Sequence, residues 1–519
     1  MSFRSKRLAL TTLGITAILT AAAGCTTAGT TTTNGSDAGS IVFGFAVGTL
    51  DPVLADQTQN SVPDNALYDT LVEYTRDGKL QPRVATKWTL APDATSVTFT
   101  LRDDVTFADG SKLTAADVVY TLERTKRVGT GVASLINDYR SATAISDTEI
   151  KIDLVRPNAI FPGALSKIFI LDADLVKQHE GTDNAQSWLA ANAAGSGAYT
   201  LTSIRQGTEI RLQQRPEYWA KQDGRPAQIV LANVTDGSTA RNGLLAGQYD
   251  AAIQSRDDAA TFAGNPGFRV VERQSAAQNY FFINTKSPKL ADVRVRRAVA
   301  LAFDYQGFVT NVEGGSSKVA TGPLPAALGC RPRLPASAQN LDEAKKLLAE
   351  AGVSGLSLVA EYQTWNPAHI QAATLLKSNL ADIGVKLDLK QITYPAYIAQ
   401  LAKPETTPDF FYMSDFPLYP DAGTILARTY DSKMIGRGSN YGNYADAEVD
   451  ALITKALATT DETARCALYE QAQTKIAAAQ VSINVSNPTD TLVVRTGFTG
   501  LGDSDSHDMV NLLDIRTAG

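Results

Sequence analysis

Histidine and cysteine are scarce in this chain, with three of each among 519 residues. His179, His369 and His507 stand far apart, and none lies in a spacing that metal ligands use. There is little material for a histidine-based catalytic site. The sequence also lacks G-x-S-x-G, H-E-x-x-H, the phosphate loop G-x-x-x-x-G-K-[ST] and C-x-x-C. These absences remove the commonest motif-borne enzyme classes and leave a secreted hydrolase as a distant alternative. No cofactor and no metal site is expected. Basic blocks and RNA-type aromatic stripes are missing too, and the formal charge is −6, so nucleic acid is not an expected partner. Internal repeats, which a structural or adhesive surface protein favours, are not visible.

Long apolar runs are also missing, except at the start. Arg4, Lys6 and Arg7 precede the apolar stretch from Leu8 to Leu19 and then Ala22-Ala23-Gly24-Cys25. A basic head, a short greasy stretch and small residues make the layout of a secretory signal peptide over 1–24. Counted on through Ala23, at 16 residues, the stretch is short against the ~20 that span a bilayer comfortably. Ala-Ala-Gly-Cys resembles a bacterial lipobox, in which Cys25 receives a diacylglycerol. It departs from the usual pattern in having Ala22 where leucine is preferred. An ordinary signal peptide cut near Ala23 and an uncleaved anchor are the alternatives. Residues 25–39 continue as TTAGTTTTNGSDAG after the cysteine, small and polar, and read as a flexible linker. Losing the three basic residues of the signal takes the formal charge from −6 to −9.

The remainder is ordinary in composition, 44% hydrophobic and 20% charged, and long enough for several domains. Ile41–Phe45 reads as a strand leading to the turn Thr49-Leu50-Asp51-Pro52. Residues 61–74 suit a helix face. Val97, Phe99 and Leu101 alternate with polar residues as a half-buried strand does. Asp109-Gly110 makes a turn, and Thr114 or Ser111 caps a helix over 115–124. Strands are expected at 149–155 and within 197–213.

The second half changes character. Asp292 caps a helix whose apolar stripe is Val295, Ala298, Val299, Ala302 and Phe303. Helices at 341–351, 368–383 and 461–478 alternate with strands at 356–361, 385–391 and 481–486, and a strand-like tail follows near Thr491–Arg495. Alternating helices and strands imply crossover units. The fold class is therefore α/β in two lobes, with an extra β-rich piece in the first and a cleft between them as the favoured ligand site. Arg294, Arg296 and Arg297 sit near a helix start, where the dipole disfavours cations, so carboxylate partners are expected. Cys330 and Cys466 either pair in an oxidising exterior or remain buried thiols.

Five blocks carry a family resemblance: LQPRVATKWTLAPDATSVTFTLRDDVTFADGSKLTAADVVYTLER (80–124), GSGAYTL (195–201) with PEYW (216–219), LLAGQYD (244–250), YFFINTKSPKLADVRVRRAVALAFDY (280–305) and ARCALYEQAQTKIA (464–477). Together they resemble the bacterial extracellular solute-binding proteins of family 5, the substrate receptors of ABC importers, over nearly all of 40–500. The resemblance implies a type II periplasmic-binding-protein-like fold. Its first lobe comprises 40–58 and 193–280 with the extra subdomain 59–192 inserted; the second covers 281–488, and 489–519 returns to the first. Chain crossings are expected near 276–288 and 485–495.

The implied function is capture of di- or oligopeptides outside the membrane, as a lipid-anchored monomer delivering them to an ABC permease and its ATPase. A nickel or metallophore complex, an opine or a sugar is the alternative ligand. Peptide-binding relatives pair the ligand ammonium with an aspartate in a stretch resembling Trp-x-x-Asp, which here becomes Tyr412 and Asp415, with Asp421 as a second candidate. Trp365 and Asn366, between a strand end and a helix, and Thr49, after the first strand, are expected as walls. Trp88, Phe99, Leu101, Phe107, Tyr218 and Trp219 are expected in the core. No basic residue is identified for a ligand carboxylate.

Overall fold

The computed structural model describes residues 39–56, 58–363, 367–437, 439–504 and 507–517. Two large mixed sheets organise it. The first has seven strands in the order Phe268–Gln274, Thr489–Arg495, Ala251–Gln254, Ser40–Phe45, Gln228–Asn233, Glu209–Gln214 and Tyr199–Arg205. Ser40–Phe45 runs parallel to both of its neighbours, and the other pairings are antiparallel. The second sheet has six strands: Lys318–Val319, Ser482–Asn487, Gln278–Ile283, Phe410–Asp415, Ser357–Tyr362 and Lys386–Gln391. A separate four-stranded antiparallel sheet, Ala85–Leu90, Ser96–Leu101, Glu149–Leu154 and Tyr139–Ser146, forms the β-rich piece. Its Phe99 and Ile152 share one apolar core with Phe43, Ile229 and Leu492 of the seven-stranded sheet.

The chain passes between the two large sheets at two adjacent places. Phe268–Gln274 pairs with Thr489–Arg495 in one sheet, and Gln278–Ile283 pairs with Ser482–Asn487 in the other. Ser275–Ala277 and Pro488 therefore lie side by side as the only links between these ribbons. Ser275 N donates to Pro488 O at 2.9 Å, and Gln274 Nε2 reaches the same oxygen at 2.8 Å.

The second lobe has two main cores. Phe281, Val295, Val299, Phe303, Leu376 and Tyr412 fill one, so the stripe expected on the helix Val293–Ala302 is buried. Ile425, Tyr430, Ile453, Tyr469 and Ile476 fill the other. Beside this second core a disulfide joins Cys330 to Cys466, with their Cα atoms 4.7 Å apart.

The recognisable blocks of the first lobe meet at one carboxylate. Asp69 is fully buried and accepts from Arg83 Nε (3.0 Å) and Nη2 (2.8 Å), Tyr218 hydroxyl (2.7 Å), Ser196 Oγ (2.8 Å) and Trp219 Nε1 (3.2 Å). Segments 80–85, 195–197 and 216–219 are thus held by the same acid, with its charge met by Arg83. Gly195 and Gly197 permit the approach: a β-carbon on Gly197 would lie 2.3 Å from Ala66 O. Phe99, Leu101, Phe107 and Tyr218 are buried as expected, while Trp88 and Trp219 are half-buried at the edge of the core.

Several expectations need correction. The helix read over 61–74 is Thr58–Leu67, and Val72–Tyr74 is a strand paired with Leu80–Pro82. Gly197 N donates to Leu67 O at 3.0 Å, and Asp69 is drawn into its cluster, so the helix stops there. Of the three arginines near Asp292, only Arg294 has a carboxylate, that of Asp292 at 2.6 Å. Arg296 donates to Ala479 O and Gln480 O, and Arg297 to Ala478 O. These oxygens end the helix Glu462–Ala479, the negative pole of its dipole, which favours cations as well as a carboxylate does. Thr114, rather than Ser111, caps the helix, which extends over Ala115–Val128.

Candidate functional site

The strand Phe410–Asp415 is buried on both faces, which is why its sequence shows an apolar run without alternation. It runs parallel to Ser357–Tyr362 and ends at Asp415. Alternate residues on a strand face opposite ways. Tyr412 therefore points into the core, against Phe281 (ring centroids 4.7 Å apart) and His369 (4.9 Å), fully buried. Phe411 and Met413 point the other way and pack with Tyr280, Phe282, Tyr397 and Tyr441. Asp415 is on their side. Residues three apart on a strand cannot share a face, so Tyr412 and Asp415 do not meet in one site.

Asp415 is 2% exposed and its partner Arg428 22%. Arg428 Nη2 donates to Asp415 Oδ1 at 2.7 Å and to Phe416 O at 3.1 Å, while Nη1 donates to Tyr441 hydroxyl at 3.0 Å. Phe416 N also donates to Oδ1, at 3.1 Å, and Thr429 Oγ1 lies 3.5 Å from Oδ2. Burial works against the arginine's charge, but the facing carboxylate outweighs it and holds the guanidinium above its usual range. Arg428 Nε is buried and has no hydrogen-bond partner. Beside the pair stand two bare aromatic rings, Phe416 (47% exposed) and Tyr394 (46%). Asp56, an exposed residue that follows the first strand of the other lobe, lies within electrostatic reach of Tyr394. The pair and its aromatic flanks therefore lie where the lobes face each other.

The other sequence candidates are placed differently. Asp421 caps the helical turn Ala422–Ile425, accepting from Gly423 N at 2.7 Å. Burial raises its carboxyl to about 6, and Glu462 adds to the rise while Gly423 and Arg465 oppose it. It fixes a turn beside Tyr419, which stacks on Tyr74 from the first lobe at 6.3 Å. Thr49 is half-buried and shapes its own loop: its N donates to Asn60 Oδ1 and its Oγ1 accepts from Asp51 N, both at 3.2 Å. Trp365, Asn366 and Cys25 lie outside the described residues.

Sequence reasoning missed Arg428, Tyr394 and Phe416. A signal for Arg428 was present: Ile425-Leu426-Ala427-Arg428 puts a cation in an apolar helical stretch with no acid among the preceding four residues. Such a residue needs a distant carboxylate. A recess between Tyr74, Arg83, Lys167, Pro420 and His507 has a volume of about 40 Å³. A water needs roughly 10–15 Å³ of such space, so this recess suits a few waters and no peptide. It includes none of the candidate residues.

Two facing α/β lobes joined by a paired crossing define a two-lobed binding-protein fold of type II. Solved structures share it: a substrate-binding protein of an ABC transporter from Listeria monocytogenes superposes with a TM-score of 0.82 at 22% identity, covering 93% of this chain and all of that one. An ABC transporter-associated periplasmic binding protein from Helicobacter pylori, solved with the peptide STSA, gives 0.77 at 21% identity, covering 92% and 98%. Among curated relatives, a probable D,D-dipeptide-binding periplasmic protein of Escherichia coli K12 is 27% identical over 435 residues, 82% of this chain and 83% of its own length. A probable di/tripeptide-binding protein of Pseudomonas aeruginosa is 25% identical, covering 85% and 88%. The sequence profile of the bacterial extracellular solute-binding proteins, family 5, matches residues 79–436. The chain belongs to that family and is an extracytoplasmic solute-binding protein. Among the described residues no helix is long and apolar enough to cross a membrane.

Proposed function

We propose that this protein is the receptor of an ABC importer that captures short peptides outside the membrane and releases them unchanged to the permease. The observation that carries the reading is the buried Asp415, at the end of a central strand, beside exposed aromatic rings where the two lobes face each other. A peptide ammonium taken out of water needs such a carboxylate, because an unpaired buried charge costs several kcal/mol. The names of the relatives from Escherichia coli and Pseudomonas aeruginosa support a di- or tripeptide. The proposal includes no catalytic step.

The paired crossing at Ser275–Ala277 and Pro488 acts as the hinge, with residues 281–488 moving against 40–280 and the returning tail 489–519. The extra subdomain, 59–192, moves with the first lobe, whose core it shares. The mature chain is a monomer held at the membrane by lipid on Cys25 through the linker 25–39. Mass spectrometry of what co-purifies, followed by a thermal-shift screen of peptides, metal chelates, opines and sugars, tests the ligand class. Peptides that raise the midpoint and return unaltered support the reading. Stabilisation by chelates or sugars alone, or recovery of a cleaved peptide, overturns it.

A further inference from the structure

Resting on the hinged reading above, we propose that the extra subdomain is a closure latch, whose grip on the second lobe sets the closed fraction of the protein independently of any ligand. Ile160, Ala164 and Tyr419 form one buried apolar cluster, with Tyr74, Leu418 and Leu457 packed against it. Ile160, Ala164 and Tyr74 come from the subdomain 59–192, and Leu418, Tyr419 and Leu457 from the second lobe. None of them belongs to the paired crossing at Ser275–Ala277 and Pro488. Each surface is held by its own lobe. Phe161 and Leu165 lie in the core shared with the seven-stranded sheet, and Ala422 and Ile425 in a core of the second lobe.

The two surfaces fit closely. A β-carbon on Gly163 would lie 3.0 Å from the Tyr419 ring, and one on Gly423 2.9 Å from Ile160 Cδ1, so a side chain at either position would hold the surfaces apart. A backbone hydrogen bond crosses between them, from Ala159 N to Leu457 O at 2.6 Å. Leu457 ends the helix Ala447–Leu457, where carbonyl oxygens have no partner within the helix. The loop that offers the donor is fixed in its own lobe: Asn158 N donates to Ala94 O at 2.9 Å and Asn158 Nδ2 to Asp138 Oδ2 at 2.8 Å. Rotation about the crossing parts this patch, because its halves lie on different moving bodies. Parting returns the apolar side chains, the Ala159 donor and the Leu457 acceptor to water, so burial and one hydrogen bond favour the closed form. A ligand's apparent dissociation constant is its intrinsic one divided by the closed fraction, so the latch tunes affinity without touching the ligand.

The test is amide hydrogen exchange at Ala159 in the mature protein without ligand, so its outcome does not depend on the ligand class. In the native protein this amide should exchange through an opening that dilute urea barely affects. Amides of the central strand Ser96–Leu101, in the same subdomain, should exchange through a larger opening that urea promotes. Leu418 packs against this cluster and none of the main cores. Leu418→Glu should therefore speed exchange at Ala159 about tenfold, through a smaller closed fraction, and leave the strand unchanged. Exchange of Ala159 only together with the strand, a comparison that needs no variant, would reveal a permanent joint and overturn the latch. An unchanged Ala159 rate in a folded Leu418→Glu protein does the same. Either result leaves the receptor reading intact, since that reading stands or falls on its own ligand screen.

Discussion

The two lobes each bury an aspartate, and the two are built to different ends. Asp69 in the first lobe has five side-chain hydrogen bonds from four residues, and both of its oxygens are occupied. Asp415 in the second has one cation, which is itself partly exposed and has an idle N–H, and bare aromatic rings beside it. A saturated carboxylate joins parts of a fold. One with a single charged partner, a backbone N–H and a hydroxyl at 3.5 Å, at an interlobe surface, can exchange partners. Burial alone does not separate the roles; the number and exposure of the partners do.

The largest effect that tests this contrast is on folding. Asp69→Ala leaves Arg83 buried with only Glu73 for a counter-charge, and should cost about 3–5 kcal/mol in urea unfolding. Asp415→Ala should cost clearly less in the unliganded protein, because Arg428 can turn towards water. The contrast breaks if the order is reversed.

The second lobe has a different fastening. Cys330 and Cys466 close a loop of 136 residues, so Cys466→Ser should lower stability by about 2–4 kcal/mol in calorimetry. An unchanged midpoint would show that the hydrogen bond from Gln473 Nε2 to Cys330 O and the surrounding core suffice to hold that segment.

A smaller effect should appear against pH. Asp421 has a carboxyl raised to about 6 from 3.8, so the folded state holds its proton more tightly, and its contribution to stability falls as pH rises from about 4 through 6. Burial lowers His369 and His507 to about 4 from 6.5, and their contribution is lost in the opposite direction, as pH falls from 6.5 towards 4. Asp421→Asn should therefore leave a stability profile that rises more steeply between pH 4 and 6 than the native one. A profile identical to the native one would contradict the burial of that carboxyl. The smallest change expected is from Arg297→Ala, about 0.3–1 kcal/mol, for the loss of a cation at the end of the helix Glu462–Ala479.

The fold was largely legible in the sequence because periodicity and capping record local geometry. Asp292, the stripe from Val295 to Phe303 and the stop at Gly352, where φ is +68°, all follow from short-range rules. The strand Phe410–Asp415 was not legible, because burial on both faces erases alternation. Arg296 and Arg297 misled for a related reason. A cation near a helix start signals a partner, but the sequence does not show that the partner is the end of another helix. In the site, Asp415 was legible from its resemblance to the family. Arg428 stood out as a cation in an apolar stretch, but its pairing with Asp415 was not legible, since their contact depends on how the turn after the strand folds back.

The most direct test is a crystal structure of the protein saturated with a dipeptide that it binds. The ligand should lie between the lobes, its ammonium within hydrogen-bonding distance of Asp415 and its side chains against Phe416 and Tyr394. A dipeptide bound elsewhere, with Asp415 and Arg428 still closed on each other and no ligand between the lobes, would contradict the account.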